Sequence, residues 1–267
     1  LEVNNTSAPI GIFDSGVGGT SIWKEIVTLM PLESTRYLAD SKYAPYGAKS
    51  PERILELSIK NTEKLLEFGA KIIVIACNTA TTNAIDYLRK HYDIPFIGIE
   101  PAIKPAALES KNGIIGILAT QGTLNSKLFA DTSERFAGGL KRIEVVGSGL
   151  VPLIEEGALD SLELENLLKE YLAPMIAASI DHLVLGCSHY PYLIPLLTKL
   201  LPSNVTIIDS GEAVARQTQA VLKKQQLLAI ENNETVRHLL YSNTTTNTLK
   251  KLVGTHSKHS QFEYLDF

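Results

Sequence analysis

Two cysteines are the residues of this chain best suited to proton-transfer or nucleophilic chemistry, and they occupy matching places. The chain has 267 residues and two cysteines, Cys77 in "IACNTATTN" and Cys187 in "LGCSHYPYL". Each follows a short apolar run typical of a buried strand and precedes a stretch typical of a helix. Free N–H groups and the helix dipole at a helix N-terminus lower the pKa of a thiol toward neutrality. We therefore expect two reactive thiols, although unpaired cysteine is also common as a plain core residue.

Polar side chains follow each cysteine along the chain. Asn78 and Thr79 come after the first, and Ser188 and His189 come after the second. Such hydroxyl and amide groups cap helices, and they also bind the carboxylate and ammonium groups of an amino acid. His189 is a plausible proton partner for the cysteine two residues before it. A Cys–His nucleophile of the hydrolase kind is an alternative, but it leaves the first cysteine without a role.

The elements that position these residues are short apolar strands alternating with amphipathic helices. The pattern is typical of parallel strands covered by helices on both faces. The end of each strand in the first half recurs at a nearly constant spacing in the second half. We predict an α/β fold of two pseudo-symmetric, doubly wound domains with mainly parallel sheets and an active-site cleft between them. The predicted strands end at Asp14, Asp40, Ala76, Ile99, Thr120, Gly147, Gly186 and Asp209.

The tail does not fit the repeat. It offers an amphipathic stretch and then two β-like segments, "VRHLLYSN" and "QFEYLDF". The simplest packing returns this tail to the first half, so that the chain crosses twice between the domains. We therefore predict a first domain of residues 1–99 plus 210–267, which carries Cys77, and a second domain of residues 100–209, which carries Cys187.

Composition and charge exclude several classes of partner. The net charge is −4 and no Lys/Arg run forms a stripe, so we expect no nucleic-acid partner. The apolar runs are far shorter than the roughly 20 residues that cross a bilayer, so we expect no membrane segment. No His, Cys or carboxylate set has metal-ligand spacing, so we expect no metal. Two cysteines without a recognisable leader peptide predict free thiols in the cytoplasm.

The loop after the first predicted strand, "FDSGVGG", permits an alternative function. Gly16, Gly18 and Gly19 could cradle a phosphate, with Asp40 near the place of a ribose-binding acid. The third glycine is missing at the required spacing, however, and Asp14 occupies the loop. A nucleotide-binding oxidoreductase is therefore one rival interpretation. A two-lobed module that binds an amino acid without catalysis is the other.

Ordered motifs over nearly the whole chain resemble the glutamate racemase family, of the cofactor-independent aspartate/glutamate racemase superfamily. The resemblance implies interconversion of L- and D-glutamate, which supplies D-glutamate for peptidoglycan in a bacterial cytoplasm. It also implies that no cofactor is needed. Aspartate is the alternative substrate within the superfamily. The motifs are "GIFDSGVGG", "PYG", "ACNTAT", "GIEPAIKPA", "GILATQGT", "LVPLIEEG", "LGCSHYP" and "IIDSGEAVA".

The resemblance also implies roles for individual residues. Cys77 would take the α-proton from D-glutamate and Cys187 from L-glutamate, and the other thiol would return a proton from the opposite face. Asp14 would assist the first thiol, His189 the second, and Glu155 would be a further assisting acid. The family usually has Thr where this chain has Ser188, and the hydroxyl is kept. The implied substrate-binding residues are Asp14, Ser15, Tyr46, Gly47, Asn78, Thr79, Thr120, Ser188 and His189.

Two further partners are compatible with the resemblance. A homodimer is one of them. The other is a peptidoglycan precursor, which activates some family members that have longer N-terminal extensions. The short polar start of this chain, "LEVNNTSA", leaves that question open.

Overall fold

The computed structural model describes residues 6–229, 236–254 and 259–267, in which parallel strands alternate with helices. The strands are β1 (Ile10–Asp14), β2 (Thr35–Ala39), β3 (Ile72–Ile75), β4 (Phe96–Gly98), β5 (Ile114–Ala119), β6 (Lys141–Val146), β7 (His182–Gly186), β8 (Thr206–Ile208), β9 (His238–Ser242) and β10 (Ser260–Tyr264). The first eight strands each end within one residue of the predicted position. The tail strands β9 and β10 fall on the two predicted β-like segments.

Helices connect most of these strands. They are α1 (Thr20–Leu29), α2 (Pro51–Glu67), α3 (Asn78–His91), α4 (Ile103–Glu109), α5 (Gln121–Leu124), α6 (Lys127–Ala137), α7 (Leu150–Glu155), α8 (Leu162–Ala177), α9 (Ile194–Leu200), α10 (Gly211–Lys224) and α11 (Asn247–Val253). None of the helices in the described ranges has the length and apolar character that crossing a membrane requires.

The strands form two sheets. The first has six strands in the order β10-β9-β2-β1-β3-β4, and the second has four in the order β6-β5-β7-β8. All pairings between the described strands are parallel. The order β2-β1-β3-β4 recurs as β6-β5-β7-β8, so one four-strand topology is used twice. The prediction of a pseudo-symmetric α/β fold with parallel sheets is confirmed.

Each central strand is buried because helices cover both faces of its sheet. Successive side chains of a strand point to opposite faces. In β1, Ile12 packs in the same cluster as Trp23 of α1, whereas Phe13 packs with Leu57 of α2. The apolar side chains of this strand therefore pack into two core layers, one on each face of the sheet. Only the last residue of the strand, Asp14, is charged.

The chain passes between the sheets after β4 and again after β8. The hydroxyl of Ser210 donates to the carbonyl oxygen of Glu100, which joins the two crossings. Beyond the second crossing α10 packs against α1, and β9 pairs with β2. The tail thus returns to the first sheet. The exact domain limits at residues 99/100 and 209/210 stay a prediction, and residues 1–5 of the polar N-terminal segment lie outside the described residues.

Candidate active site

One small cavity lies where the carboxyl ends of the two sheets meet. It is nearly closed, with a volume of about 10 Å³, which is close to the room that one water molecule needs. Cys77 follows β3 of the first sheet and Cys187 follows β7 of the second, and both are buried free thiols. The cavity is lined by Ser15, Pro45, Tyr46, Gly47, Cys77, Asn78, Thr79, Thr120, Val151, Cys187, Ser188 and His189.

The lining includes both cysteines and nearly all of the substrate-binding positions that the resemblance implied. Asp14 is the exception, since it is buried behind the cavity wall, where Glu155 also lies. Pro45 and Val151 also line the cavity; they lie in the motifs "PYG" and "LVPLIEEG" but are not among the implied substrate-binding residues. The chemical roles of all these residues stay a prediction.

Cys77 is the N-cap residue of α3, as predicted, but its protonation differs from the expectation. Its Sγ accepts a hydrogen bond from the N–H of Ala80 at 3.4 Å. Burial, together with the negative charge of Asp14, raises the pKa of the Cys77 thiol, although Ala80 and the Ser15 hydroxyl act in the opposite direction. The prediction of a pKa lowered by the helix N-terminus is therefore wrong here, because loss of hydration outweighs the helix.

Cys187 occupies a different local structure. A turn and the short 3₁₀ helix Tyr190–Leu193 follow it, and α9 begins only at Ile194. The predicted helix does follow this cysteine, but it begins three residues later and first as a 3₁₀ helix, so Cys187 is not its N-cap residue. Its Sγ lies instead 3.8 Å from Nδ1 of His189, so the imidazole is the group that can stabilise or receive charge at this thiol.

His189 is held by Glu155. Its Nε2 lies 2.6 Å from Oε1 of Glu155, and the same oxygen accepts from the N–H of Val17 at 2.6 Å. The other oxygen, Oε2, accepts from the Ser41 hydroxyl at 2.9 Å. A distance of 2.6 Å between Nε2 and a carboxylate oxygen requires a proton between them, so Nε2 carries that proton and donates it to Glu155. The N–H of Gly18 lies 3.2 Å from the same nitrogen and then has no lone pair there to bond. Nδ1 is then the nitrogen that faces the thiol.

Charge favours a protonated His189. Burial by itself lowers the pKa of this imidazole, because a charged ring loses hydration. The hydrogen bonds to Cys187 and Glu155 and the charge of Asp14 outweigh burial and hold the pKa well above its ordinary value. These neighbours therefore favour the charged form of the ring beside the second thiol.

Asp14 joins the two sheets beneath the cavity. Its Oδ2 accepts from the N–H groups of Gly16 at 3.1 Å and Gly19 at 3.0 Å, and its Oδ1 accepts from the Ser188 hydroxyl at 3.0 Å. Burial raises the pKa of the Asp14 carboxyl, although His189 and the Gly19 N–H oppose the shift. A buried carboxyl whose pKa is raised holds its proton more readily than an exposed one, which suits an assisting acid or base.

The glycines of the first loop make room for side chains from the second half of the chain rather than for a phosphate. A Cβ at Gly16 would lie 1.9 Å from Oε1 of Glu155, and a Cβ at Gly18 would lie 2.1 Å from Nδ1 of His189. The space beside this loop is filled by the second half of the chain. The geometry therefore does not support the dinucleotide interpretation.

Asp40, the acid considered for a ribose, is also fully engaged inside the protein. It is completely buried, accepts a hydrogen bond from the Tyr46 hydroxyl and forms an ion pair with Lys60 at 3.1 Å. Asn61 and Asn243 donate to it as well. These contacts fix Tyr46 in the cavity wall with its hydroxyl turned toward Asp40.

Asn78 is unusual because its side chain is buried without a partner. The side chain lines the cavity, yet neither its Nδ2 nor its Oδ1 has a hydrogen-bond partner among the described residues. Buried amides in folded proteins are nearly always paired. An unpaired amide facing a cavity therefore indicates a place for a polar ligand. In the described ranges no three His, Cys, Asp or Glu side chains are grouped so that they could hold a metal ion.

Comparison with known sequences identifies a family. The Asp/Glu/Hydantoin racemase family model matches residues 20–218. A glutamate racemase from Ectopseudomonas mendocina is 48% identical over 88% of this chain and 90% of its own length. One from Herpetosiphon aurantiacus is 46% identical over 82% of this chain and 87% of its own length.

Solved structures give the same result. A glutamate racemase isoform from Bacillus anthracis superposes with a TM-score of 0.85 at 30% identity, covering 98% of both chains. The Escherichia coli glutamate racemase, solved with L-glutamate and the activator UDP-MurNAc-Ala, gives 0.84 at 32% identity over 96% of this chain and 98% of its own. The chain therefore belongs to the Asp/Glu/Hydantoin racemase family, and it is a racemase.

Proposed function

We propose that the enzyme interconverts L- and D-glutamate with Cys77 and Cys187 as its two proton-carrying groups and without a cofactor. The observation that carries the proposal is that two free thiols, one from each sheet, line a single cavity. Inversion of a stereocentre by proton exchange needs one base and one acid on opposite faces of the α-carbon. The glutamate assignment draws on the relatives, whose names specify glutamate.

The reaction is balanced with these two thiols alone. From D-glutamate, the thiolate of Cys77 removes the α-proton, and the electron pair of the broken C–H bond moves into the α-carboxylate. The Cys187 thiol then gives its proton to the opposite face of the carbon. The product is L-glutamate, with a thiol at Cys77 and a thiolate at Cys187. A proton returns from Cys77 to Cys187 by exchange with water before the next D-glutamate is converted, whereas L-glutamate can react with this form of the enzyme directly.

The protonation pattern of the empty cavity suits the L-to-D direction. Burial and Asp14 raise the pKa of Cys77, so this residue starts as a thiol and can donate. The charged ring of His189 lies 3.8 Å from Cys187 Sγ and can stabilise a thiolate there. In the D-to-L direction, the ammonium group of the substrate would lower the cost of a thiolate at Cys77.

Binding would use the polar lining of the cavity. The unpaired amide of Asn78 offers a donor and an acceptor, and the hydroxyls of Ser15, Thr79, Thr120 and Ser188 surround it. A substrate with two carboxylates and an ammonium group fits such a mixed set. The negative charge that develops on the α-carboxylate requires donors that are already in place before the reaction begins.

The wider role follows from the product. We propose that the enzyme works in the cytoplasm and that its D-glutamate supplies peptidoglycan synthesis. The Escherichia coli relative was solved with an activator, UDP-MurNAc-Ala. A peptidoglycan precursor of this class is therefore the effector to test in rate assays of this enzyme, alongside a measurement of whether it forms a homodimer.

Racemisation in the absence of any added group tests the proposal. The purified enzyme, dialysed against a chelator, would be given L-glutamate and then D-glutamate, and optical rotation would be followed. We expect both solutions to lose their rotation completely, and aspartate to react far more slowly. Unchanged rotation, or activity that returns only when pyridoxal phosphate or metal is added, would contradict the proposal.

A further inference from the structure

Three threonines form a continuous hydrogen-bonded cluster where the two sheets meet. Thr79 lies in the first turn of α3, Thr120 caps the N-terminus of α5, and Thr123 lies within α5. The Oγ1 atoms of Thr79 and Thr120 are 2.9 Å apart, and those of Thr120 and Thr123 are 3.0 Å apart. Thr79 and Thr120 line the cavity, whereas Thr123 is fully buried behind them.

The directions of these hydrogen bonds follow from what a hydroxyl can do, which is to donate once and accept twice. Thr120 Oγ1 already accepts from the backbone N–H of Thr123 at 3.3 Å. The Thr123 hydroxyl has Thr120 at 3.0 Å and Thr79 at 3.5 Å as its partners among the described residues. A buried hydroxyl must donate to one of them, and the shorter contact is to Thr120.

Thr123 therefore fills both acceptor positions of Thr120, which can then only donate. The proton of Thr120 goes to Thr79, its remaining partner among the described residues, and the proton of Thr79 is left for a ligand. We infer that Thr123 is a positioning residue that turns Thr120 and Thr79 into donors, so that this side of the cavity selects a carboxylate of the substrate. The inference rests on the proposed function, in which the substrate is a dicarboxylic amino acid.

Close packing keeps the cluster in place. A Cβ at Gly122 would lie 2.9 Å from Cγ2 of Thr79, so glycine lets α5 approach α3 closely. The hydroxyl of Ser126 donates to the carbonyl oxygen of Thr123 at 2.7 Å, which ties the end of α5 to the start of α6. The hydroxyl of Thr123 therefore has little freedom to turn away from Thr120.

The test compares variants that keep or lose the Thr123 hydroxyl. Thr123→Val keeps the shape and removes the hydroxyl, and Thr123→Ser keeps the hydroxyl. We expect Thr123→Val to raise KM for both enantiomers about tenfold, which is the effect expected from the loss of one charge-assisted hydrogen bond. The value of kcat should change much less. Thr123→Ser should restore KM. Thr62→Val is the matched control, because Thr62 is a buried threonine whose hydroxyl has no partner among the described residues.

Two outcomes would overturn the inference. One is an unchanged KM in a folded Thr123→Val enzyme, and the other is a Thr123→Ser enzyme that behaves like Thr123→Val. Thr123→Ala provides a second hydroxyl-free variant if valine prevents folding, which a thermal melt would detect.

A calorimetric titration with glutarate, a dicarboxylate without an ammonium group, separates this inference from the proposed function. Affinity about tenfold weaker in Thr123→Val supports the positioning role even if glutamate is not racemised. Equal affinity in both enzymes, or no binding to either, overturns it. A wild-type enzyme that leaves glutamate unchanged would contradict the proposed function alone.

Discussion

Glu155 Oε1 lies 2.6 Å from His189 Nε2, and this contact links the proton chemistry of the second thiol to the junction of the two sheets. Glu155 ends α7 and His189 follows β7 in the second half of the chain. The same carboxylate accepts from Val17, in the loop after β1, and from Ser41, which begins a short 3₁₀ helix after β2. Glu155, which favours the charged form of the imidazole, is therefore held in place by contacts between the two halves of the chain.

Replacement of Glu155 by Gln should lower the pKa of His189, because the carboxylate that favours its charged form is lost. We expect the ring, protonated at neutral pH in the wild type, to become neutral there, and L-glutamate conversion to slow by about tenfold or more. A ¹⁵N NMR titration of the ring would measure the first effect. The exposed neighbour Glu156→Gln is the control and should change neither quantity.

A single methyl group in the first loop should disable the site without unfolding the protein. The Cβ of Gly18→Ala would collide with the His189 ring at 2.1 Å and force it to move. Displacement of a catalytic group by about 1 Å costs on the order of 10²-fold in rate. The control is Gly139→Ala, where an added Cβ meets nothing within 4 Å. A Gly18→Ala enzyme with normal kcat would show that the ring is not held where the structure has it.

Much of this arrangement could be predicted from the sequence, because strand ends carry a strong signal. The apolar run before Cys77 ends abruptly in polar residues, so the position of that thiol at the carboxyl end of a strand can be predicted. The contacts behind the cavity cannot be predicted in this way. Ser41 contacts Glu155, and Thr79 contacts Thr120, across segments that are far apart in the chain. No local pattern distinguishes Ser41 or Thr123 from ordinary turn and helix residues.

The protonation of Cys77 shows the same limit. The helix N-terminus was predictable and would lower the pKa of the thiol, but the degree of burial depends on how the two halves close over it. Burial is a tertiary property, and here it decides the sign of the shift. The 3₁₀ form of the short helix after Cys187 is likewise not visible in the sequence, since the proline-containing stretch "SHYPYL" is equally typical of the start of an α-helix.

The stability of the second sheet should depend on Asp181, which precedes β7. Its carboxylate accepts from Ser110 Oγ at 2.8 Å and from the N–H groups of Lys111 and Asn112 at 2.7 and 3.0 Å, and it contacts His182. Burial alone would raise the pKa of Asp181, but His182 and these donors lower it below its ordinary value.

The stabilising effect of Asp181 should therefore be complete above about pH 3.9, the pKa of this residue in the unfolded chain. The effect should disappear as the pH falls through the lower pKa of Asp181 in the folded protein. We expect Asp181→Asn to lose about 1–3 kcal/mol of unfolding free energy at pH 7. The difference from wild type should shrink as the pH is lowered below about 4. Urea titrations over a pH series would measure this, with the exposed Asp160→Asn as control. A difference that grows in acid would refute the assignment.

A buried ion pair outside the cavity should contribute to the unfolding free energy of the protein. Lys71 Nζ lies 2.6 Å from Glu33 Oε2, and both side chains are almost completely buried. Lys71→Met would leave the carboxylate buried without its cation, which costs about 3–5 kcal/mol. Lys169→Met, which breaks the exposed pair with Glu165, should cost less than about 1 kcal/mol. Equal losses in the two variants, measured by urea unfolding, would contradict the account.

The central claim is that each thiol serves one face of the substrate. Serine is a much weaker acid and base than cysteine at the same position, so racemisation of glutamate should collapse in both Cys77→Ser and Cys187→Ser. Each variant should nevertheless retain one deprotonation. A β-chlorinated glutamate reveals that half-reaction, because removal of the α-proton expels chloride from the β-carbon and no second proton transfer is needed.

Chloride release from the two enantiomers by the two variants is the most direct measurement. We predict that Cys187→Ser releases chloride from the D-enantiomer through Cys77, and that Cys77→Ser releases it from the L-enantiomer through Cys187. Release from the same enantiomer by both variants, or near-normal racemisation of glutamate by either, would contradict the two-thiol account.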